Sequence, residues 1–138
     1  MINVRVFIST ISAERFWKIN RPFPPVKIST NLNVVGVEKK KEILEIPFVF
    51  TINYVPAVAQ INIKGKACVS GDKKELETIY NSYKEKKPPP PTIIQPISNV
   101  VFVESVLISR TVNIPPPIPL PQISQMTKKK QPEPSYRA

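Results

Sequence analysis

In three segments between Val26 and Val69, separated by turns, core-type residues recur at every second position, and after Gly71 they recur every three or four. Strand side chains alternate between two faces, whereas one face of a helix repeats every 3.6 residues, so the chain carries a sheet-forming part followed by a helix-forming part. The expected class is α+β: a four-stranded antiparallel sheet, then a short and a long helix, then a proline-rich extended C-terminal segment. The clearest strand runs from Val26, with Ile28, Thr30, Leu32 and Val34 for the core and Lys27, Ser29, Asn31 and Asn33 for solvent. Gly36 marks a bend, and Glu38 to Glu42 reads as a charged hairpin turn. Phe48, Phe50, Ile52 and Tyr54 alternate with Val49, Thr51 and Asn53 in a third strand, taken to start at Pro47, because proline is tolerated at a strand's first residue. After a turn at Val55 and Pro56, Ile61, Ile63, Gly65, Ala67 and Val69 form the inward side of a fourth strand. Its other side carries Gln60, Asn62, Lys64, Lys66 and Cys68. The first apolar segment, from Val4, Phe7 and Ile8 through Ile11 to Trp17, slips in phase before Pro22, Pro24 and Pro25 end it.

Leu76, Ile79, Tyr80 and Tyr83 share one helical face, with Asp72 as the N-cap and Glu75 in the first turn, where carboxylates meet the positive end of the helix. Lys84 to Lys87 closes this helix, and Pro88 to Pro91 is expected to form a stiff polyproline spacer. Thr92 to Arg110 is almost continuously apolar and is expected to be buried on more than one side. Its β-branched content suits a strand, but its length suits a helix entered near Pro96, and the helix is the reading adopted. Ile114 to Pro121 cannot join a regular ladder but can lie extended with Ile114, Ile118 and Leu120 in an apolar groove. The chain thus divides into one domain over residues 1–123 and a basic extended tail over 124–138.

The 138 residues include no His, one Cys and one Asp, and carry a formal net charge of +10. Chemistry near neutral pH usually draws on an imidazole, a metal cluster or an activated thiol, so no catalytic residue, metal or cofactor is assigned and no small-molecule substrate is expected. Paired carboxylates such as Glu75 with Glu77, or Glu42 with Glu45, sit beside Lys and read as surface ion pairs. Cys68 cannot form an intrachain disulfide, which suits a cytoplasmic protein. The N-terminus has no signal-peptide pattern, and no run reaches the roughly 20 apolar residues that span a bilayer, so no membrane partner is expected. The richness in Ile, Val, Lys and Glu is compatible with a heat-adapted source.

The cationic surplus points to a polyanion, because Lys and Arg gain most where they displace counterions from phosphates. The candidate RNA-binding residues are Lys39, Lys40 and Lys41; Lys64 and Lys66; Lys84, Lys86 and Lys87; and, in the tail, Lys128, Lys129, Lys130, Tyr136 and Arg137. Each cluster taken alone also reads as a solvated turn or helix end, and only their sum favours a polyanion surface. Phe16, Trp17 and Phe23 read as core aromatics, while Tyr136 stands in a polar tail.

The succession of sheet, short helix, long helix and proline-rich end resembles the SecB-like fold, the family of the bacterial export chaperone. Phe48 to Tyr54 and Ala59 to Gly65 look like its paired strands, and Leu107 to Arg110 followed by Ile114 to Pro121 looks like its long helix entering a proline-containing extension. Small archaeal SecB-like proteins look most similar. The resemblance implies apolar grooves that hold unfolded chains, and a homo-oligomer if that role holds. The export chaperone's family is typically acidic, however, and this chain is basic. The function expected is therefore a non-catalytic RNA-binding protein of the ribosome, with ribosomal RNA and neighbouring ribosomal proteins as partners, and a SecB-like holdase chaperone is the alternative.

Overall fold

A computed structural model of the chain describes residues 2–18 and 20–117, together with the backbone of two short strands beyond them. The elements are β1 (Asn3–Arg15), β2 (Lys27–Val34), β3 (Glu38–Lys40), β4 (Ile43–Val55), β5 (Ala59–Ser70), α1 (Lys73–Lys84), α2 (Pro91–Thr111), β6 (Leu120–Pro121) and β7 (Tyr136–Arg137). The main sheet is antiparallel in the order β1-β5-β4-β2, and β3 lies beside the start of β4 on the same side as β2. It therefore has five strands where four were expected, because Glu38–Lys40, read as a turn, pairs with Ile43–Glu45 before the chain reverses.

β4 begins at Ile43, so Pro47 lies inside a central strand rather than at its start. The Pro47 carbonyl accepts the Val35 N–H at 2.9 Å, and a residue's N and O point to the same side of a strand. The missing N–H of Pro47 therefore faces the gap between the end of β2 and the start of β3, and the ladder to β5 loses nothing.

The phase slip in the first strand is a bulge. Ile8 pairs with Gly65 and Thr10 with Lys64, leaving Ser9 as the extra residue. The bulge keeps Ile11 and Ala13 opposite Ile63 and Ile61, on the same face as Val4, Val6 and Ile8. Gly65 makes this possible: a Cβ there would lie 2.1 Å from the Phe7 carbonyl oxygen and 3.0 Å from the Phe48 ring.

One sheet face carries the core. Leu44, Ile46, Phe48, Phe50 and Ile52 on β4 and Ile61, Ile63, Ala67 and Val69 on β5 are buried beneath Leu76 of α1 and Ile93, Ile97 and Val101 of α2. Each of these side chains other than Ala67 contributes roughly 1.5–3 kcal/mol by leaving water. Phe102 closes edge-on against Phe50, with ring centroids 5.0 Å apart. α2 lies over β1 and β5, where Ser105 and Ser109 are the buried residues of its last turns. Each turns its hydroxyl back to the carbonyl three residues earlier, at 2.8 Å.

Asp72 is the N-cap of α1, as its position predicts. Both helices end in the same way: Lys86 (φ 65°) and Asn113 (φ 56°) take the left-handed conformation. Lys87 N–H then donates to the Ser82 carbonyl, and Ile114 N–H to that of Ser109, each at 3.0 Å. α2 starts at Pro91 rather than Thr92, since proline at the first helical position loses no hydrogen bond, so the extended link is Pro88–Pro90. The helix continues through Pro96. At 21 residues it is long and apolar enough, by length and composition, to cross a bilayer, which corrects the expectation that no segment reaches that length. Its buried residues, Ile93, Ile97, Val101, Ser105 and Ser109, form one stripe that meets the sheet.

Candidate functional site

The structure brings two of the lysine clusters together and separates a third. Lys39 lies opposite Leu44 in the β3–β4 register, and therefore on the helix-bearing face. Its Nζ lies 5.7 Å from the Tyr80 ring centroid, while Lys84 Nζ approaches the same ring at 4.8 Å. Lys86 and Lys87 follow in the turn that ends α1, with Lys87 3.5 Å from Glu85. Lys40 pairs with Glu38 at 3.9 Å, and Lys41 sits at the β3–β4 turn. Lys64 and Lys66 project from the opposite, outer face of the sheet, where Lys66 meets Glu45 at 3.5 Å. Lys128, Lys129 and Lys130 lie outside the described residues. Tyr136 and Arg137 form β7, whose backbone pairs with Leu120–Pro121. The proline-rich segment therefore does join a short ladder, contrary to expectation. Ile114 is buried in the core, and Ile118 lies outside the described residues.

A groove opens where the helices leave the sheet uncovered. α2 lies over β1 and β5 and α1 meets β4, so among the described residues the inner face of the edge strand β2 is only partly covered, with Ile28, Leu32 and Val34 half-buried. Leu32 and Val34 form one wall, and Tyr80, Tyr83, Pro88 and Ile94 the other, around a volume of about 750 Å³. The second wall exists because of local sequence. The left-handed turn at Lys86 reverses the chain out of α1, and the following prolines hold it extended instead of letting it pack back on β2. Lys84, Lys86 and Lys87 rim the groove, and among the described residues no carboxylate lines it. A neighbouring cavity of about 490 Å³ differs: there Lys39, Lys41 and Lys73 are accompanied by Glu42 and Glu77.

Sequence reading missed the outward face of α2. The buried stripe is Ile93, Ile97, Val101, Ser105 and Ser109, a single i, i+4 row, whereas Val103 is 59% and Leu107 52% exposed. Continuous apolarity was read as burial on more than one side, but only one side meets the sheet. Phe7, Ile11 and Phe16 along β1 and just beyond it are also exposed. Phe16 was expected in the core, and only Trp17 and Phe23 pack against it.

Arg15 was also unforeseen. It donates to the Trp17 and Lys18 carbonyls at 2.9 Å each and to the Asn113 carbonyl, and its guanidinium lies 4.4 Å from the Phe23 ring centroid. This one side chain ties the crossover between β1 and β2 to the end of α2. Tyr54 completes the same region: its hydroxyl donates to the Pro115 carbonyl, and burial pushes its pKa up to about 12.

No protein-family model matches the chain, and no curated protein matches it. Among solved structures, its fold is similar to that of a SecB-like chaperone of Mycobacterium tuberculosis, solved in complex with a ChAD peptide from the HigA1 antitoxin. The likeness covers 91% of this chain and 93% of that one, at a TM-score of 0.58 and 9% sequence identity. The fold is SecB-like. The likeness is one of fold and carries no archaeal source. It also overturns the ribosomal expectation. The structural neighbour is a chaperone bound to a peptide, and the lysines expected to form one RNA-docking surface point from opposite faces of the sheet.

Proposed function

We propose that the chain is a non-catalytic, cytoplasmic holdase that binds extended, unfolded polypeptide. The observation that carries this reading is the open groove beside β2, apolar on both walls and about 750 Å³ in volume. β2 ends the sheet on this side, so an extended segment can add to it as a further strand. Every second side chain of that segment then faces the inner side beside Leu32 and Val34 and meets Tyr80 and Tyr83, while backbone bonds to the strand supply affinity without reading sequence. Such a site suits many unfolded chains and few folded ones.

The exposed Val103 and Leu107 of α2 give the reading a second part: this face packs against another copy of the chain, and the holdase is a homo-oligomer. The test of the first part is suppression of aggregation of a chemically unfolded enzyme diluted into buffer with and without the protein. The wild type is expected to suppress aggregation near equimolar ratio and to retain this at high salt, since apolar contacts are not screened. Leu32→Asp, which puts a charge into the groove wall, is expected to reduce suppression several-fold with the fold retained by circular dichroism. Absence of suppression by the wild type sinks the proposal.

A further inference from the structure

We infer that the groove beside β2 selects apolar segments flanked by acidic residues. This rests on the holdase reading and narrows its client class. Three ammonium groups, Lys84, Lys86 and Lys87, stand on the groove's rim, and Lys39 reaches the Tyr80 ring from β3. The only carboxylate in this stretch, Glu85, is 3.5 Å from Lys87 and is not part of the lining. The adjacent cavity shows what an unselective arrangement looks like, since each side of its wall carries Lys and Glu together. The charge of the groove is therefore local as well as a share of the overall +10.

The arrangement separates two tasks. The walls of Leu32, Val34, Tyr80 and Tyr83 take apolar side chains, while the lysines stand at one end, on the turn out of α1. Flexible ammonium groups at a partly solvated rim recognise charge rather than geometry, so Asp and Glu are both accepted. With Lys87 shared with Glu85, basic flanks still meet the like charges of Lys84 and Lys86 and are disfavoured. Each exposed pair adds little, and two or three together give about a tenfold preference at low salt.

The experiment uses the full chain and three fluorescein-labelled decapeptides that share a core of alternating Leu and Ser and differ only in flanks of Glu, Ser or Lys. Anisotropy titrations of the wild type are expected to rank Glu above Ser above Lys, about tenfold between the first two, with the gap narrowing as salt rises. The triple variant Lys84→Gln/Lys86→Gln/Lys87→Gln is expected to bind all three alike. Lys64→Gln/Lys66→Gln, on the outer face of the sheet, is expected to keep the ranking. If both variants lose the preference equally, it comes from net charge and the local inference is overturned. If all three peptides bind the wild type alike, the selectivity is overturned while the holdase reading stands. If none binds and aggregation is not suppressed, the holdase reading itself fails.

Discussion

Gly65 shows how one missing atom sets a strand's course. The bulge in β1 brings the Phe7 carbonyl over the Gly65 Cα, so even the smallest side chain overlaps it. The clash is with backbone rather than with a flexible tip, and relief requires β1 to move off β5. Gly65→Ala is therefore expected to destabilise the protein by about 3 kcal/mol, the upper end for overpacking, read as a lower urea midpoint at unchanged slope. Tyr54 is a second single-residue case. Burial raises its pKa from about 10 in the unfolded chain to about 12 in the fold, so the folded state holds the phenolic proton more tightly. Its contribution is complete below pH ~10 and is lost between about 10 and about 12, at up to roughly 1.4 kcal/mol per pH unit. Tyr54→Phe removes both that contribution and the hydrogen bond to the Pro115 carbonyl. The stability difference between wild type and Tyr54→Phe, from urea unfolding at pH 9, 10 and 11, is expected to shrink as pH rises.

At the scale of elements, α2 carries the most information about assembly. A helix needs about one apolar stripe to hold it on a sheet, and the row from Ile93 to Ser109 already supplies it. Val103 and Leu107 add nothing to that packing, yet they keep the opposite face apolar. Replacing both with Gln is expected to change unfolding free energy by only about 0.5 kcal/mol each while shifting the protein from oligomer to monomer in analytical ultracentrifugation. A wild type that sediments as a monomer across the micromolar range would remove the second part of the functional proposal. The end of α1 is the matching element on the other side. Its left-handed turn at Lys86 and the prolines after it keep the link between the helices extended, and that link is what leaves β2 a groove instead of a closed core.

At the scale of the molecule, coverage of the sheet is uneven. The helices bury the inner face of β4 and β5, whereas on β2, among the described residues, Ile28, Leu32 and Val34 stay only half-buried. The uneven coverage places the apolar walls, a terminal strand and the three rim lysines together on one side. The outer face of the sheet instead carries a polar ladder. Thr51 bonds Asn62 at 3.1 Å, Gln60 bonds Asn53 at 3.3 Å, and Lys66 pairs with Glu45. The two faces thus offer different chemistry, and only the inner one suits an apolar segment.

How much of this was legible in the chain depends on whether the governing interactions are local. The alternation from Val26 to Val34 and from Phe48 to Tyr54, the N-cap at Asp72 and the period of Leu76, Ile79 and Tyr80 all act within a few residues, and β2 and α1 formed where their patterns placed them, while β4 starts earlier, at Ile43 rather than Pro47. The phase slip near Ile8 was visible too, but its meaning as a bulge required Gly65 on the neighbouring strand. The extra strand β3 was hidden because its three residues are all charged, so no apolar pattern marks it. The net charge and the absence of His were plain from the composition, yet they could not say which lysines share a surface. Lys39 and Lys84 meet at Tyr80 only because β3 and α1 pack side by side, while Lys64 and Lys66 turn away because a strand's odd and even positions face opposite sides. The main alternating strands, the two helices, their order and the absence of His thus follow from the chain alone. The tertiary structure decided which apolar faces stay uncovered and which charges surround them, because helix placement on a sheet is set by packing between segments far apart in the chain.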